Sequence, residues 1–155
     1  MKVFEVMTTT VITINKDATI LDAMKIMKDK EVGFLVIEDD KKAIGVITDR
    51  DIVLSLAKEI SPNTNISKIM KKYVITVNLN EDVSNASDIM GYMQVKRLVV
   101  INENDDIVGV LSLTDLARCP LTEEIALETL IEISYTYPTK YLETDNLFQI
   151  SAYIF

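Results

Sequence analysis

The sequence predicts an α/β (α+β) fold of two pseudo-symmetric βαββα units packed through their sheets, followed by a helical and aromatic C-terminal extension. Three observations carry that expectation. The chain matches itself at an offset of 63 residues, short β-branched runs alternate with segments of helical spacing in the same order in both halves, and one strand-to-helix junction occurs twice. The junction reads Gly-apolar-apolar-Ser/Thr-x-x-Asp, at Gly45, Thr48 and Asp51 and again at Gly109, Ser112 and Asp115.

The self-match pairs Met7 with Met70, Thr13 with Thr76, Ala23 with Ala86, Met27 with Met90 and Leu35 with Leu98. One extra residue in the second turn region shifts the offset to 64, which a loop in a structural repeat tolerates. In the first repeat Val11 to Ile14 reads as a brief strand. Thr19 then caps a helix that carries Ile20, Ala23, Met24 and Met27 on one face and ends near Lys30. Phe34 to Ile37 and Ala43 to Ile47 form a hairpin of buried strands around the charged turn Glu38 to Lys42. Thr48 caps a second helix with Ile52, Val53, Leu56 and Ala57, and Ser61 to Thr64 connect the repeats. The second repeat follows the same plan: Ile66, Ile69 and Met70 lead in, Val74 to Val77 is a strand and Val83 to Met93 a helix. Val95 to Ile101 and Ile107 to Leu111 are then paired strands, and Ser112 opens the next helix. The expected organisation is 1–60 and 61–119 for the two motifs and 120–155 for the extension. Neither repeat has enough strand to close a core alone, so the pair is read as one domain.

Composition narrows the function. Without histidine and with a single cysteine, Cys119, the chain lacks Cys/His zinc sets, histidine acid–base chemistry and any internal disulfide. Cys119 stands just before Pro120 and reads as a helix-end residue rather than a reactive thiol. Asp51 and Asp115 are not expected to form an acid–base pair, no nucleophile has a partner base, and the chain is read as not an enzyme. No apolar run is long enough to span a bilayer and no signal peptide is visible, so the expectation is a cytoplasmic protein without a membrane role. A net charge of −8 opposes nonspecific attraction to nucleic acid. Lys68, Lys71 and Lys72 beside Tyr73 leave a nucleic-acid accessory role as the alternative, against the plainer reading of an exposed helix end. The extension is acidic and holds Tyr135, Tyr137, Tyr141, Phe148, Tyr153 and Phe155. Thr122 caps an amphipathic helix there that Pro138 prevents from continuing. The extension reads either as a packed appendage or as an arm for dimerisation or a partner.

Thr48-x-x-Asp51 and Ser112-x-x-Asp115 have two readings. Each is close to a helix capping box, and each also sits at a strand end and helix start where a hydroxyl could donate to phosphate and a carboxylate accept from ribose hydroxyls. The duplication favours the second reading.

Residues 1 to about 118 resemble the CBS domain family, as a tandem CBS pair or Bateman module. The resemblance rests on the ordered set Val6-Met7 or Ile69-Met70, Thr13 or Thr76, Ala23 and Met27 or Ala86 and Met90, and the two Gly-to-Asp junctions. It implies two βαββα motifs packed through their sheets, two clefts that take AMP, ADP, ATP or S-adenosylmethionine as a regulatory ligand, and a homodimer. A stand-alone pair of this kind implies an unknown protein partner in trans, with a protein-interaction scaffold lacking nucleotide as a further alternative.

Carried over by position, the resemblance implies that Asp51 and Asp115 hold ribose hydroxyls and that Thr48, Ser112 and Thr114 face phosphate or ribose. One cleft would join Ser112, Thr114 and Asp115 to Thr13, Ala18, Gly33 and Phe34, and the other would join Thr48, Arg50 and Asp51 to Thr76 and Val95. The run from Val95 to Asn102 looks like a nucleotide-binding strand in which Lys96 and Arg97 reach phosphate, the alternative being a solvated strand end. The first repeat has Gly33-Phe34 where the second has Lys96-Arg97, so the cleft with Asp115 and Arg97 is expected to be the better nucleotide site. The family's frequent proline is replaced here by Val36 and Val99.

Overall fold

A computed structural model describes residues 1–135 of the chain. Its elements follow the doubled plan. The first repeat consists of β1 (Thr13–Asn15), α1 (Ile20–Lys30), β2 (Phe34–Asp39), β3 (Lys42–Thr48) and α2 (Asp49–Ala57). The second consists of β4 (Thr76–Asn78), α3 (Val83–Met93), β5 (Arg97–Ile101), β6 (Ile107–Ser112) and α4 (Leu113–Arg118), and α5 (Glu123–Ser134) follows. Short 3-10 turns, Val3–Glu5 and Ile66–Lys68, precede the two repeats. The strands make two three-stranded sheets, β1-β2-β3 and β4-β5-β6. β1 runs parallel to β2, with α1 as the crossover, and β2 runs antiparallel to β3.

The expected first strands start later than the β-branched runs suggest, at Thr13 rather than Val11 and at Thr76 rather than Val74, and β5 starts at Arg97 rather than Val95. Val95 is held instead by the preceding helix, its N–H donating to the Met90 carbonyl at 3.0 Å. The matching Val32 N–H donates to Met27 at 3.0 Å. Both helices end on a left-handed residue, Glu31 at φ 54° and Gln94 at φ 51°, which closes the last turn as a glycine usually does. The β2–β3 hairpin turns through Asp40 and Lys41, both at positive φ, the pairing of a type I′ turn. The longer β5–β6 turn accommodates the extra residue around Asn102, whose side-chain oxygen accepts from the N–H groups of Asn104 and Asp106, both at 2.9 Å.

The chain divides into two compact units, and these interleave the repeats. One contains Thr10–Thr76 with Ile101–Val108; the other contains Met1–Thr9, Val77–Val100 and the described residues from Gly109. The segment leading into each repeat therefore packs on the opposite repeat. In the first unit Ile20 N–H donates to Thr64 O at 3.0 Å and Ile66 N–H to Ala18 O at 2.9 Å. In the other, Val83 N–H donates to Met1 O at 3.0 Å and Val3 N–H to Glu81 O at 2.9 Å, the same bonds displaced by one repeat. These bonds satisfy helix-start amides that would otherwise lack partners. Ile66 is fully buried in the core of the first unit with Ile14, Ile20, Leu35, Ile37 and Ile47, and Val3 is fully buried as well.

α5 packs on α3 and α4. Its docking explains why α3 buries Ser87 and Gly91 at positions where α1 carries the longer Met24 and Lys28. A Cβ on Gly91 would lie 3.2 Å from the Glu132 Cβ, so the small residue admits the second helix. Gln94 Nε2 donates to the Tyr135 carbonyl at 2.6 Å and fixes the end of α5. The expectation that Thr122 caps this helix through its side chain is corrected. Thr122 occupies the cap position, but its hydroxyl donates back to the Leu116 carbonyl at 2.7 Å and makes no cap bond. Through Tyr135 the extension is thus a packed element; the remaining aromatics, Tyr137 to Phe155, lie outside the described residues.

Candidate functional site

Each strand-to-helix junction forms a complete capping box. In one unit Asp51 N–H donates to Thr48 Oγ1 at 3.2 Å, while Asp51 Oδ2 accepts from Thr48 N–H at 2.9 Å and from Thr48 Oγ1 at 2.6 Å. In the other, Asp115 N–H donates to Ser112 Oγ at 3.2 Å, and Asp115 Oδ2 accepts from Ser112 N–H at 2.8 Å and Ser112 Oγ at 2.5 Å. The capping reading is therefore realised at both junctions. It is realised a third time at Thr19 and Asp22, where no glycine-ended strand precedes the helix. One consequence is chemical. The Thr48 and Ser112 hydrogens are donated to carboxylates, which leaves these hydroxyls as acceptors and shifts recognition of a ligand to the aspartates.

A carboxylate has two oxygens, and the cap uses one. The Oδ1 of Asp115 accepts from Thr8 Oγ1 at 3.0 Å, and the Oδ1 of Asp51 lies 3.5 Å from the Lys71 ammonium. Thr8 and Lys71 are equivalent residues that follow Met7 and Met70. They arrive by the same backbone pairing: Thr8 and Val110 exchange N–H···O bonds of 3.0 and 2.9 Å, and Lys71 and Val46 exchange two of 2.9 Å. The glycines make this approach feasible. A Cβ on Gly109 would stand 2.6 Å from Met7 Sδ and 3.1 Å from Thr8 O, and one on Gly45 would stand 2.7 Å from Met70 Sδ and 3.0 Å from Lys71 O. At each glycine the methionine sulfur comes nearest, with the backbone carbonyl of the following residue next to it.

Other sequence-predicted residues are distributed between the units. Lys96, Arg97, Ser112, Thr114, Asp115 and Val95 lie in the unit of repeat two, whereas Thr76, also of repeat two, lies in the unit of repeat one. Leu113 N–H donates to Lys96 O at 3.0 Å, which sets the basic pair beside the Ser112 junction. Lys96 and Arg97 are both exposed. Thr13, Ala18, Gly33, Phe34, Thr48, Arg50 and Asp51 lie in the unit of repeat one. There Phe34 is the register partner of Thr48, and Asp49 N–H donates to Gly33 O at 3.1 Å. The Asp49 carboxylate occupies the space above Gly33, where a Cβ would meet its Oδ2 at 2.7 Å. Repeat two has Leu113 in place of Asp49 and Lys96 in place of Gly33, so its junction is the more basic of the two. Ala18 uses both backbone groups internally, donating to Asn15 and accepting from Ile66, and Thr13 pairs in register with Val36.

Thr8 and Asp49 are not among the candidates read from the sequence, and Lys71 enters there only as a member of the Lys68, Lys71 and Lys72 cluster. The only signal for Thr8 and Lys71 at the junctions is that they follow the repeated methionine, and nothing local connects them to aspartates 107 and 20 residues away. Lys71's ion pair with Asp51 also draws one member away from the Lys68, Lys71 and Lys72 basic cluster. Among the described residues no group of three or more His, Cys, Asp or Glu side chains is arranged to hold a metal ion, and no helix is long and apolar enough to cross a membrane.

A CBS domain family profile matches residues 3–58 and again residues 66–121, bracketing the two junctions. The chain belongs to the CBS domain family. It is 33% identical over 132 residues to the CBS domain-containing protein YhcV of Bacillus subtilis, covering 84% of this chain and 94% of that protein. A CBS domain protein of Pyrobaculum aerophilum solved in complex with AMP superposes with a TM-score of 0.73 at 25% identity, over 84% of this chain and 99% of the other. The CBS domain pair of protein MJ0100, solved with 5′-methylthioadenosine and S-adenosyl-L-methionine, superposes with a TM-score of 0.69 at 27% identity, over 76% and 94% of the two chains. The two βαββα motifs of the present chain are those of a CBS pair.

Proposed function

We propose that this CBS pair is a regulatory module that binds an adenosine nucleotide, AMP, ADP, ATP or S-adenosylmethionine, and signals to a partner protein in trans rather than catalysing a reaction. The observation that carries the reading is the state of Asp115. Its Oδ2 is committed to the helix cap, while its Oδ1 takes a neutral hydroxyl from Thr8, in the same unit as Lys96 and the Arg97 that opens β5. A charged acceptor for a ribose diol next to cations for phosphate is the complement of a nucleotide. The relatives solved with AMP and with S-adenosylmethionine support the same ligand class. Signalling requires the ligand to bind one conformation of a homodimeric or partner-bound module more tightly than another, since equal affinity shifts no equilibrium.

Calorimetric titration with AMP, ATP and S-adenosylmethionine tests the reading on the wild type, Asp115→Ala and Asp22→Ala. Asp22 belongs to a capping box without the junction, so its variant controls for lost helix stability. A tighter binding event that survives in Asp22→Ala and is lost in Asp115→Ala, leaving at most a weaker one, is the expected result. No saturable binding to the folded, nucleotide-free wild type by any of the three would refute it and leave a protein-interaction scaffold.

A further inference from the structure

The two junctions share the capping box, the glycine and the reciprocal backbone pairing, and besides the exchanges of Asp49 for Leu113 and Gly33 for Lys96 they differ in the side chain that reaches the aspartate from the opposite repeat's leading segment. Because Thr8 and Lys71 are held by the same reciprocal bonds to Val110 and Val46, their side chains are delivered to the same carboxylate oxygen. That oxygen is Oδ1, the one the cap leaves for a ligand. Thr8 spends one lone pair of Asp115 and adds no charge. Lys71 sets an ammonium 3.5 Å from Asp51, in a pair whose side chains are only 23% and 14% exposed, so solvent screens the attraction less than at an open surface. A ribose diol donating to Asp51 must share the oxygen with that cation or displace it, and displacement gives up the ion pair.

We propose that the residue after the leading methionine sets how available each aspartate is to a ribose diol, with Lys71 acting as a built-in competitor at Asp51 and Thr8 leaving Asp115 open. The inference rests on the nucleotide reading above and adds a ranking to it: Asp115 fills first, and Asp51 fills at higher ligand concentration. Lys71 and Thr8 are positioning residues in this scheme.

Single-aspartate backgrounds separate the two ends, Asp115→Ala isolating Asp51 and Asp51→Ala isolating Asp115, and AMP is the probe in calorimetry. In the first background Lys71→Thr should raise AMP affinity about five- to tenfold, and in the second Thr8→Lys should lower it by a similar factor. Thermal melting checks that each variant is folded. The reciprocal exchange keeps the test informative if one variant is destabilised. Weaker AMP binding in Lys71→Thr would overturn the proposal, because Lys71 would then be a ligand contact rather than a competitor. Two exchanges that both leave the affinity within about twofold would overturn it as well, with the nucleotide reading intact. A wild type that binds no AMP removes both.

Discussion

Met70 lies over Gly45: a Cβ on the glycine would come 2.7 Å from the methionine sulfur and 3.0 Å from the Lys71 carbonyl behind it. Met7 bears the same relation to Gly109, at 2.6 Å, with the Thr8 carbonyl at 3.1 Å. The two most recognisable marks of each repeat, its methionine and its glycine, are therefore one contact made between repeats. The methionine can shift, but the carbonyl belongs to the backbone pair that holds the leading segment.

Gly45→Ala and Gly109→Ala should each destabilise the fold by about 1–3 kcal/mol, the usual range for overpacking a close contact. Urea unfolding should show a lower midpoint with an unchanged slope. A midpoint equal to the wild type would mean that the leading segments move aside without cost.

Glu31 and Gln94 both hold left-handed helix ends, yet they should respond oppositely to glycine. Glu31 is exposed and makes no side-chain bond among the described residues, so Glu31→Gly should stabilise by up to about 1 kcal/mol by relieving the left-handed cost. Gln94 is buried, and its amide holds the Tyr135 carbonyl at 2.6 Å, so Gln94→Gly should be destabilising by about 1–2 kcal/mol. Paired denaturation curves decide the sign of each.

The acid limb of stability follows from three carboxyls held below their ordinary values. The Thr19 hydroxyl lowers Asp22, the Asn85 amide lowers Glu81 and the Lys42 ammonium lowers Asp106, each chiefly through a side-chain hydrogen bond. A depressed folded-state value means a contribution fully present above the unfolded value and lost as pH falls through the folded one. The urea midpoint should therefore decline below about pH 4.5, and Asp106→Asn should flatten part of that decline. Lys16 is raised above 10.5 by its hydrogen bond to Asp39, so its contribution is present below that value and lost only as pH rises beyond it. An unchanged acid slope in Asp106→Asn would show that Lys42 provides no folded-state preference for the ionised carboxyl.

Much of this arrangement is legible in the sequence, for physical reasons that differ by element. Ile20, Ala23 and Met27 recur at helical spacing because one face of α1 is buried, and the same face recurs 63 residues on in Val83, Ala86 and Met90. Thr19, Thr48 and Ser112 are readable as caps because capping is local. What escapes is the exchange of the leading segments, since the bonds from Ile20 to Thr64 and from Val83 to Met1 run through backbone carbonyls that any residue supplies. Lys71 escapes for the same reason: its position is set by pairing with Val46, and its charge reads locally as one of three lysines near Tyr73. Thr122 misleads because a hydroxyl beside a helix start can donate backward to Leu116 as readily as it accepts forward.

The crossed leading segments bear on how such a chain could have arisen. A single repeat folded alone would present Ala18 and the first amides of α1 without the strand-like segment that covers them, because its own leading segment is aimed elsewhere. Two copies could satisfy each other by trading those first residues, in the manner of a domain-swapped pair. Fusion of two such copies end to end would preserve every bond of the trade within one molecule. It would also leave the traded residues free to differ, as Thr8 and Lys71 do.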